Sequence, residues 1–333
     1  MGEAVISVSF AGPLVTVQDA GRPGNMRYGA PASGPMDRLA FDAAHAALGN
    51  APGTSAIEIS LGGLMLHCRE GAATLAVTGG NFVVEHGAQK TDSWTVLTIH
   101  EGERLAIRAG IAGSWAYVAF AGRLGSESWL GSEATHSTSG FGGGAVQTGQ
   151  SLVISKAAIR EDRLGDIPQP DFISTGPIRA VTGPQDHHFV QNAVERFMSE
   201  AYTVTDAYDR MGMRLTGPLL GLAGSLSIPS EPVVRGSVQV SGDGVATVLL
   251  ADHQTTGGYP KIATIISCDT DRLAQWRAGQ PVRFGSASSQ QAIDDVRSFT
   301  VQKAHYLARI SVPRWSLEQR LMRENLIHGC AFD

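Results

Sequence analysis

The sequence predicts a mostly β protein, built from sandwiches or barrels and carrying a few short α-helices. Three observations point there. Short runs rich in β-branched and aromatic residues recur roughly every 10–15 residues where they cluster, with Gly, Asp or Asn between them, a spacing that belongs to all-β domains rather than to βαβ units. The chain has 40 glycines among 333 residues, well above the usual share of about 7%, and they are dispersed as turn residues are. Helical periodicity, by contrast, is confined to four segments.

The strand-like runs fall at 5–10, 74–77, 94–99, 104–108, 115–120 and 152–154 in the first half, and at 178–181, 201–204, 234–240, 247–251 and 262–266 in the second. The first helix is predicted over 35–48, where Met36, Leu39, Ala40, Ala43, Ala44, Ala47 and Leu48 share one face and Gly49 stops it. Residues 186–198 repeat the pattern with Phe189, Val190, Ala193, Val194 and Phe197. A short helix over 270–277 ends before Gly279, and one over 316–327 opens with the capping box Ser316-Leu317-Glu318-Gln319 and ends before Gly329. The stretch 161–175, with Asp162, Asp166, Pro168, Pro170 and Asp171, lacks periodicity and reads as a linker. It divides the chain into β-rich halves at 1–160 and 176–310, followed by a helical tail at 311–333. Ala-Val-Thr-Gly occurs at 76–79 and 180–183, a weak hint of duplication, since the flanking segments do not align at that offset.

Composition narrows the function classes. At 43% hydrophobic and 17% charged the chain can bury a sizeable core and is not a disordered one. The net charge is −5 and the isoelectric point about 6.1; with no basic stripe, nucleic acid is not an expected partner. No run of 18 apolar residues and no secretory leader is seen, so no membrane association and a cytoplasmic location are expected. Cys68, Cys268 and Cys330 are far apart with no CxxC, which fits a reducing compartment.

Two polar loops carry the candidate chemistry. The first runs through Gln18, Asp19, Arg22 and Ser33 to Asp37. Arg22 is a candidate clamp for a carboxylate or phosphate, Ser33 a hydrogen-bonding partner, and Asp19 a base or the group that orients Arg22. Asp37 opens a helix, as a base or simply to offset its dipole. The second is Asp252-His253-Gln254-Thr255-Thr256-Gly257-Gly258-Tyr259-Pro260-Lys261, between two apolar strands. Lys261 is a candidate oxyanion stabiliser or carboxylate anchor and Asp252 a base or the partner of Lys261. Gln254, Thr255, Thr256 and Tyr259 are hydrogen-bond donors. The plain alternative is a hairpin whose polar residues satisfy each other. A third patch, Asp209 to Arg214, offers Arg214 and Arg210 to an anion or a partner, or to acids such as Asp206.

Other motifs are excluded. Gly140-Phe141-Gly142-Gly143-Gly144 is followed by no helix, so dinucleotide binding is discarded. There is no GxxxxGK[ST], no HExxH, no GxSxG and no biotin-attachment Met-Lys-Met. No metal site is expected, and no cofactor held by this chain.

In order along the chain stand TVQDAGRPG (16–24), GAPASGPMDRLAFDAAHAALGN (29–50), AVTGGN (76–81), GPQDHHF (183–189), DRMGMRLTGP (209–218), GSVQVSGDG (236–244) and ADHQTTGGYPKIATI (251–265). This set is similar to the family of biotin-dependent carboxyltransferase-like proteins that includes allophanate hydrolase subunit 2, the carboxyltransferase part of urea carboxylase and the C subunit of 5-oxoprolinase. The resemblance spans about residues 12 to 285. It implies cyclophilin-like β-barrel subdomains and an active site shared with a companion subunit of the allophanate hydrolase subunit 1 type. For a 5-oxoprolinase it implies a third subunit and ATP-dependent hydrolysis of a small amide, 5-oxo-L-proline, to L-glutamate, with ATP handled by another chain. The alternatives it carries are a carboxyltransferase component, with biotin on another chain, and a non-enzymatic antagonist of a kinase-inhibitor-like companion. One departure stands out. Many relatives read Gly-Ser-Arg where this chain has Gly131-Ser132-Glu133, an acid for a base, which implies a different substrate or lost activity if that arginine binds an anion.

Overall fold

The computed structural model describes residues 2–224 and 228–314. The expected helix over 316–327 and Cys330 lie outside the described residues.

The first half is strand-rich. Its strands and first helix are β1 (Gly2–Ala11), β2 (Thr16–Gln18), α1 (Arg38–Leu48), β3 (Ala56–Ile59), β4 (Leu64–Glu70), β5 (Ala72–Thr78), β6 (Asn81–His86), β7 (Gln89–Asp92), β8 (Thr95–His100), β9 (Arg104–Ala112), β10 (Ala116–Phe120), β11 (Arg123–Leu124) and β12 (Ser151–Ala157). They form a seven-stranded sheet, β11-β12-β1-β4-β9-β6-β7, and a six-stranded sheet whose edge strand β13 (Gly165–Asp166) pairs with β8. One apolar cluster, with Ile6, Leu66, Val77, Phe82 and Phe120 among its members, fills this half. Alternation along β1 and β4 supplies it: inward residues are buried and their neighbours are not, as the two-residue period of a strand requires.

The second half closes on itself. Strands β14 (Ile178–Thr182), β15 (Ala201–Tyr208), β16 (Gly212–Thr216), β18 (Ser237–Val240), β19 (Ala246–Leu249), β21 (Lys261–Ile265) and β22 (Pro281–Ser286) make a closed barrel. Its β14–β22 pair is parallel, while pairs such as β15–β16 and β18–β21 are antiparallel. A small ribbon of β17 (Glu231–Pro232) and β20 (Thr256–Gly257) sits beside it. Closure leaves the barrel no exposed sheet edge.

The helices differ from expectation in instructive ways. α1 starts where Asp37 caps it, its carboxylate accepting from Ala40 N at 3.0 Å. Residues 186–198 do not form one helix: a 3-10 turn at Asp186–His188 gives way to α2 (Ala193–Ser199). Between them Phe189 bridges Leu222, and Val190 N donates to Gly221 O, so backbone pairing to a distant segment breaks the helix. α3 is Ser267–Leu273, which starts and ends earlier than predicted. α4 (Ser289–Ile310) is 22 residues long and lies within the stretch read as β-rich. Its narrow apolar face buries only Tyr306 and Ile310, which leaves little period to see, although Ser288 and Gln291 form a capping box that was open to reading. Residues 161–175, read as a linker, carry a 3-10 turn and β13.

The halves meet across a packed seam. Met36 and Trp115 of the first half join the apolar cluster of the barrel. Trp115 Nε1 donates to Tyr208 OH at 2.6 Å, and Arg38 grips Asp271 through Nε at 2.9 and 3.0 Å. Among the described residues no helix is long and apolar enough to cross a membrane.

Candidate functional site

At the centre of the seam lies a dehydrated charge cluster. Arg210, just after β15, is fully buried, and so are its partners Glu58 on β3 and Asp252 beyond β19. Its guanidinium holds Asp252 with two bonds of 2.9 and 3.1 Å, reaches Glu58 with a third nitrogen contact, and donates to Gly34 O at 2.7 Å. Glu58 also accepts from Tyr117 OH and Met36 N, both at 2.8 Å. Asp252 takes a further bond from Ser137 N at 2.9 Å. Although burial pushes its carboxyl up, Arg210 and these donors outweigh it and hold Asp252 at about 2. It is an ionised anchor, and a weak base.

The first predicted loop packs onto this cluster. Arg22 is buried. Its donors go to Trp129 O at 3.4 Å, Ser33 Oγ at 3.1 Å and Ala134 O, and its guanidinium lies 4.9 Å from the Trp129 ring. Burial lowers its pKa from the ordinary value. Ser33, which accepts from Arg22, has a positive φ of 53°. Asp19 does not pair with Arg22: it accepts from Gly21 N, Ser132 Oγ, Glu133 N and Ala134 N between 2.6 and 3.1 Å. The glycine run at 140–144 has a packing reason. A Cβ at Gly142 would collide with the Ala134 carbonyl and crowd Arg22. This loop is thus wired to its own chain, with Arg22 satisfied internally.

The second predicted loop spans the barrel mouth and is more open. Lys261 Nζ donates to Pro232 O at 3.1 Å and lies 3.5 Å from Glu231. An ammonium has three donors, so among the described residues these partners leave one without a partner. Gln185 ties the mouth together: its Oε1 accepts from Lys261 N at 2.8 Å and its Nε2 donates to Glu231 at 2.5 Å. Gln254 Nε2 donates to Gln239 Oε1 at 3.0 Å, and Gln239 in turn to Tyr259 O at 3.3 Å. Thr255 O accepts from Val233 N; Thr256 and the Tyr259 side chain face solvent. Asp252 does not pair with Lys261.

Two predicted residues sit elsewhere. Asp37 caps α1 and accepts from Gln275 Nε2 at 2.9 Å. Burial and the nearby Asp271 carboxylate push it up to about 6. Arg214 is on the outer barrel wall, paired with Asp243 at 2.7 Å, both half exposed, and not with Asp206. Glu133 accepts from the hydroxyls of Ser55 and Ser126, each at 2.5 Å, so its charge is spent on two serines at the rim of the Arg22 loop. Sequence reading missed Glu58, Gln185, Gln239 and Glu231, and it offered Arg210 beside Arg214 to an anion or partner, where the structure has Arg210 buried on Glu58 and Asp252. The signal available for Arg210 was its place before Met211-Gly212, where a strand begins. Among the described residues no group of three or more His, Cys, Asp or Glu is placed to hold a metal ion.

The family model for "Carboxyltransferase domain, subdomain A and B" matches residues 28–286. The chain belongs to this carboxyltransferase-domain family. The second polar loop falls wholly inside the match, and the first from residue 28 onward. Among curated relatives, the C subunit of 5-oxoprolinase from Escherichia coli is 32% identical over 294 residues, 87% of this chain and 93% of that protein. Its counterpart in Haemophilus influenzae is 32% identical over 280 residues, 83% of this chain and 89% of that one. A putative urea carboxylase of Emericella nidulans is 27% identical over 87% of this chain, which spans 25% of that protein. In solved structures, a crystal structure of TTHA0988 superposes with a TM-score of 0.76 at 28% identity, over 85% of this chain and 55% of that one. The urea amidolyase of K. lactis reaches 0.82 at 22% identity, over 96% of this chain and 21% of that one, a likeness of fold alone. The mostly β, cyclophilin-like barrel architecture expected of the family is the one observed.

Proposed function

We propose that this carboxyltransferase-domain protein is a subunit of an ATP-dependent 5-oxoprolinase-type amidohydrolase, converting 5-oxo-L-proline to L-glutamate in the cytoplasm. One observation carries the reading: the 32% identity to the C subunits of two 5-oxoprolinases extends over about nine-tenths of those proteins, whereas urea carboxylase contains this region as a quarter of its length. The barrel mouth supplies suitable chemistry. Opening an unstrained lactam means adding a nucleophile to a resonance-stabilised amide, and negative charge then builds on the carbonyl oxygen. The third donor of Lys261 is the group to meet that oxygen, or the substrate carboxylate, in a half-buried setting where its charge is weakly screened. Gln254, Thr255, Thr256 and Tyr259 orient the ring. Asp252, with Arg210, Arg22, Ser33 and Asp19, holds the loops in place behind the mouth as a positioning set. ATP is handled by another chain, and the companion subunit of the allophanate hydrolase subunit 1 type, with a third subunit, completes the site.

The test is reconstitution with those subunits and measurement of ATP-dependent glutamate release. Lys261→Ala is expected to lower kcat about 100-fold; an unchanged rate would remove Lys261 from the chemistry. The match to a carboxyltransferase domain favours one second reading, a carboxyltransferase component that takes a carboxyl group from biotin carried on another chain. Carboxyl transfer to urea or another small amide, with no glutamate formed, would select it.

A further inference from the structure

A cavity of about 500 Å³ opens where the first half, the barrel and α4 meet, away from the barrel mouth. Its lining includes Trp94, Trp276 and Phe299, each partly exposed, and Asp37 is among its polar residues. Trp94 holds a positive φ of 72°, a conformation that a bulky residue keeps only where the surrounding fold insists on it. The backbone bonds Trp94 N to Val77 O and Ile167 N to Trp94 O, both 2.6 Å, keep it there.

The charges around the cavity are unevenly matched. Asp271, also in the lining, is paired by both Arg38 and Arg235. Arg272 is answered by Asp269 and by three backbone carbonyls, Ser174, Gly176 and Pro177. Asp37 receives only neutral donors, Ala40 N and Gln275 Nε2, and among the described residues forms no ion pair. A carboxylate with no ion-pair partner among the described residues, lining a cleft that also holds three aromatic side chains, is the arrangement that stabilises an organic ammonium. The carboxylate supplies the charge, and the rings of Trp94 and Phe299 supply apolar and cation–π contact, while the Trp276 ring already has the Arg272 guanidinium 5.8 Å from its centre.

We propose that this cavity binds a small organic cation of the aryl-alkyl ammonium class, its ammonium on Asp37 and its ring between Trp94, Trp276 and Phe299. The site is separate from the proposed lactam chemistry and binds whether or not that chemistry occurs. Of the charged groups facing Asp37, the Asp271 carboxylate of α3 pushes its carboxyl up and Lys303 of α4 pulls it down, with burial the larger effect, leaving it at about 6. An ammonium ligand supplies the ion-pair partner that Asp37 lacks among the described residues.

Calorimetric titration of the full chain at about pH 7.5, above the raised value of Asp37, with 2-phenylethylammonium and with its neutral analogue 2-phenylethanol tests this. The ammonium is expected to saturate one site about 10-fold more tightly than the alcohol. Asp37→Asn, which keeps an N-cap residue, is expected to erase that difference, and Phe299→Ala to weaken both probes. Equal affinity of the two probes, absence of saturable ammonium binding, or a difference that survives Asp37→Asn would each overturn the proposal. The wild-type comparison decides even if a variant folds poorly.

Discussion

The seam cluster and the barrel mouth contain similar residue types and treat them oppositely. At the seam, Arg210, Glu58 and Asp252 are dry, mutually paired and bonded to backbone from both halves. At the mouth, Lys261 and Glu231 are a loose pair at 3.5 Å, Glu231 is half exposed, and Lys261 has a donor without a partner among the described residues. A charge whose every bonding position is filled by its own protein holds structure. A charge with an open position is available to a ligand. The same contrast separates two carboxylates read alike from sequence: Asp252 has a guanidinium and stays ionised, whereas Asp37 has none among the described residues and is pushed up.

The strongest way to break this contrast is Arg210→Met. It strands two buried carboxylates and is expected to cost about 3–5 kcal/mol in denaturant unfolding. A loss below about 1 kcal/mol would show that the cluster is wetter than the geometry says. Lys261→Ala should divide the regions the other way. The roughly 100-fold loss in turnover should come with a stability change within about 1 kcal/mol, and a large destabilisation would make the mouth structural too.

The two carboxylates give a pH test with opposite signs. Asp252, held at about 2, contributes stability above its unfolded value near 4, and that contribution is lost as pH falls from about 4 to about 2. Asp37, raised to about 6, contributes its full share below about 4 and loses it as pH rises through about 6. Each amounts to about 2–3 kcal/mol by linkage. Asp37→Asn should therefore raise stability at about pH 7 and flatten the curve between about pH 4 and 7; an unaltered slope there would mean that Asp37 is not perturbed. The smallest expected effect is Arg214→Ala. Its half-exposed partner Asp243 makes a change within about 0.5 kcal/mol the expectation, with turnover untouched. A clear loss of activity would return Arg214 to the site.

Much of the fold was legible because its signals are local. Strand runs, the turn glycines and the face of α1 are properties of neighbours in sequence, and each predicted run falls on an observed strand, whereas β3, β4, β6, β7, β16 and β22 were not predicted. The motifs that mark the family are local too, which is why the resemblance and the match over 28–286 agree. α4 escaped because a helix that buries two side chains shows almost no apolar period. The roles of the charged residues escaped for a different reason. Glu58 and Arg210 are 152 positions apart, and Arg22 meets Ala134 across 112. Whether a charge is spent or free depends on which distant carbonyls and carboxylates the closed fold brings against it and on how much water is left. Sequence alone therefore determined the β class, the family and the place of the two polar loops, but not β4, β6, β16 or β22, which no predicted strand run covers. Only the tertiary structure shows that Arg22 and Asp252 are bonded to their own chain, that Lys261 has a donor without a partner among the described residues, and that Asp37 lines a cavity with neutral donors on its carboxylate.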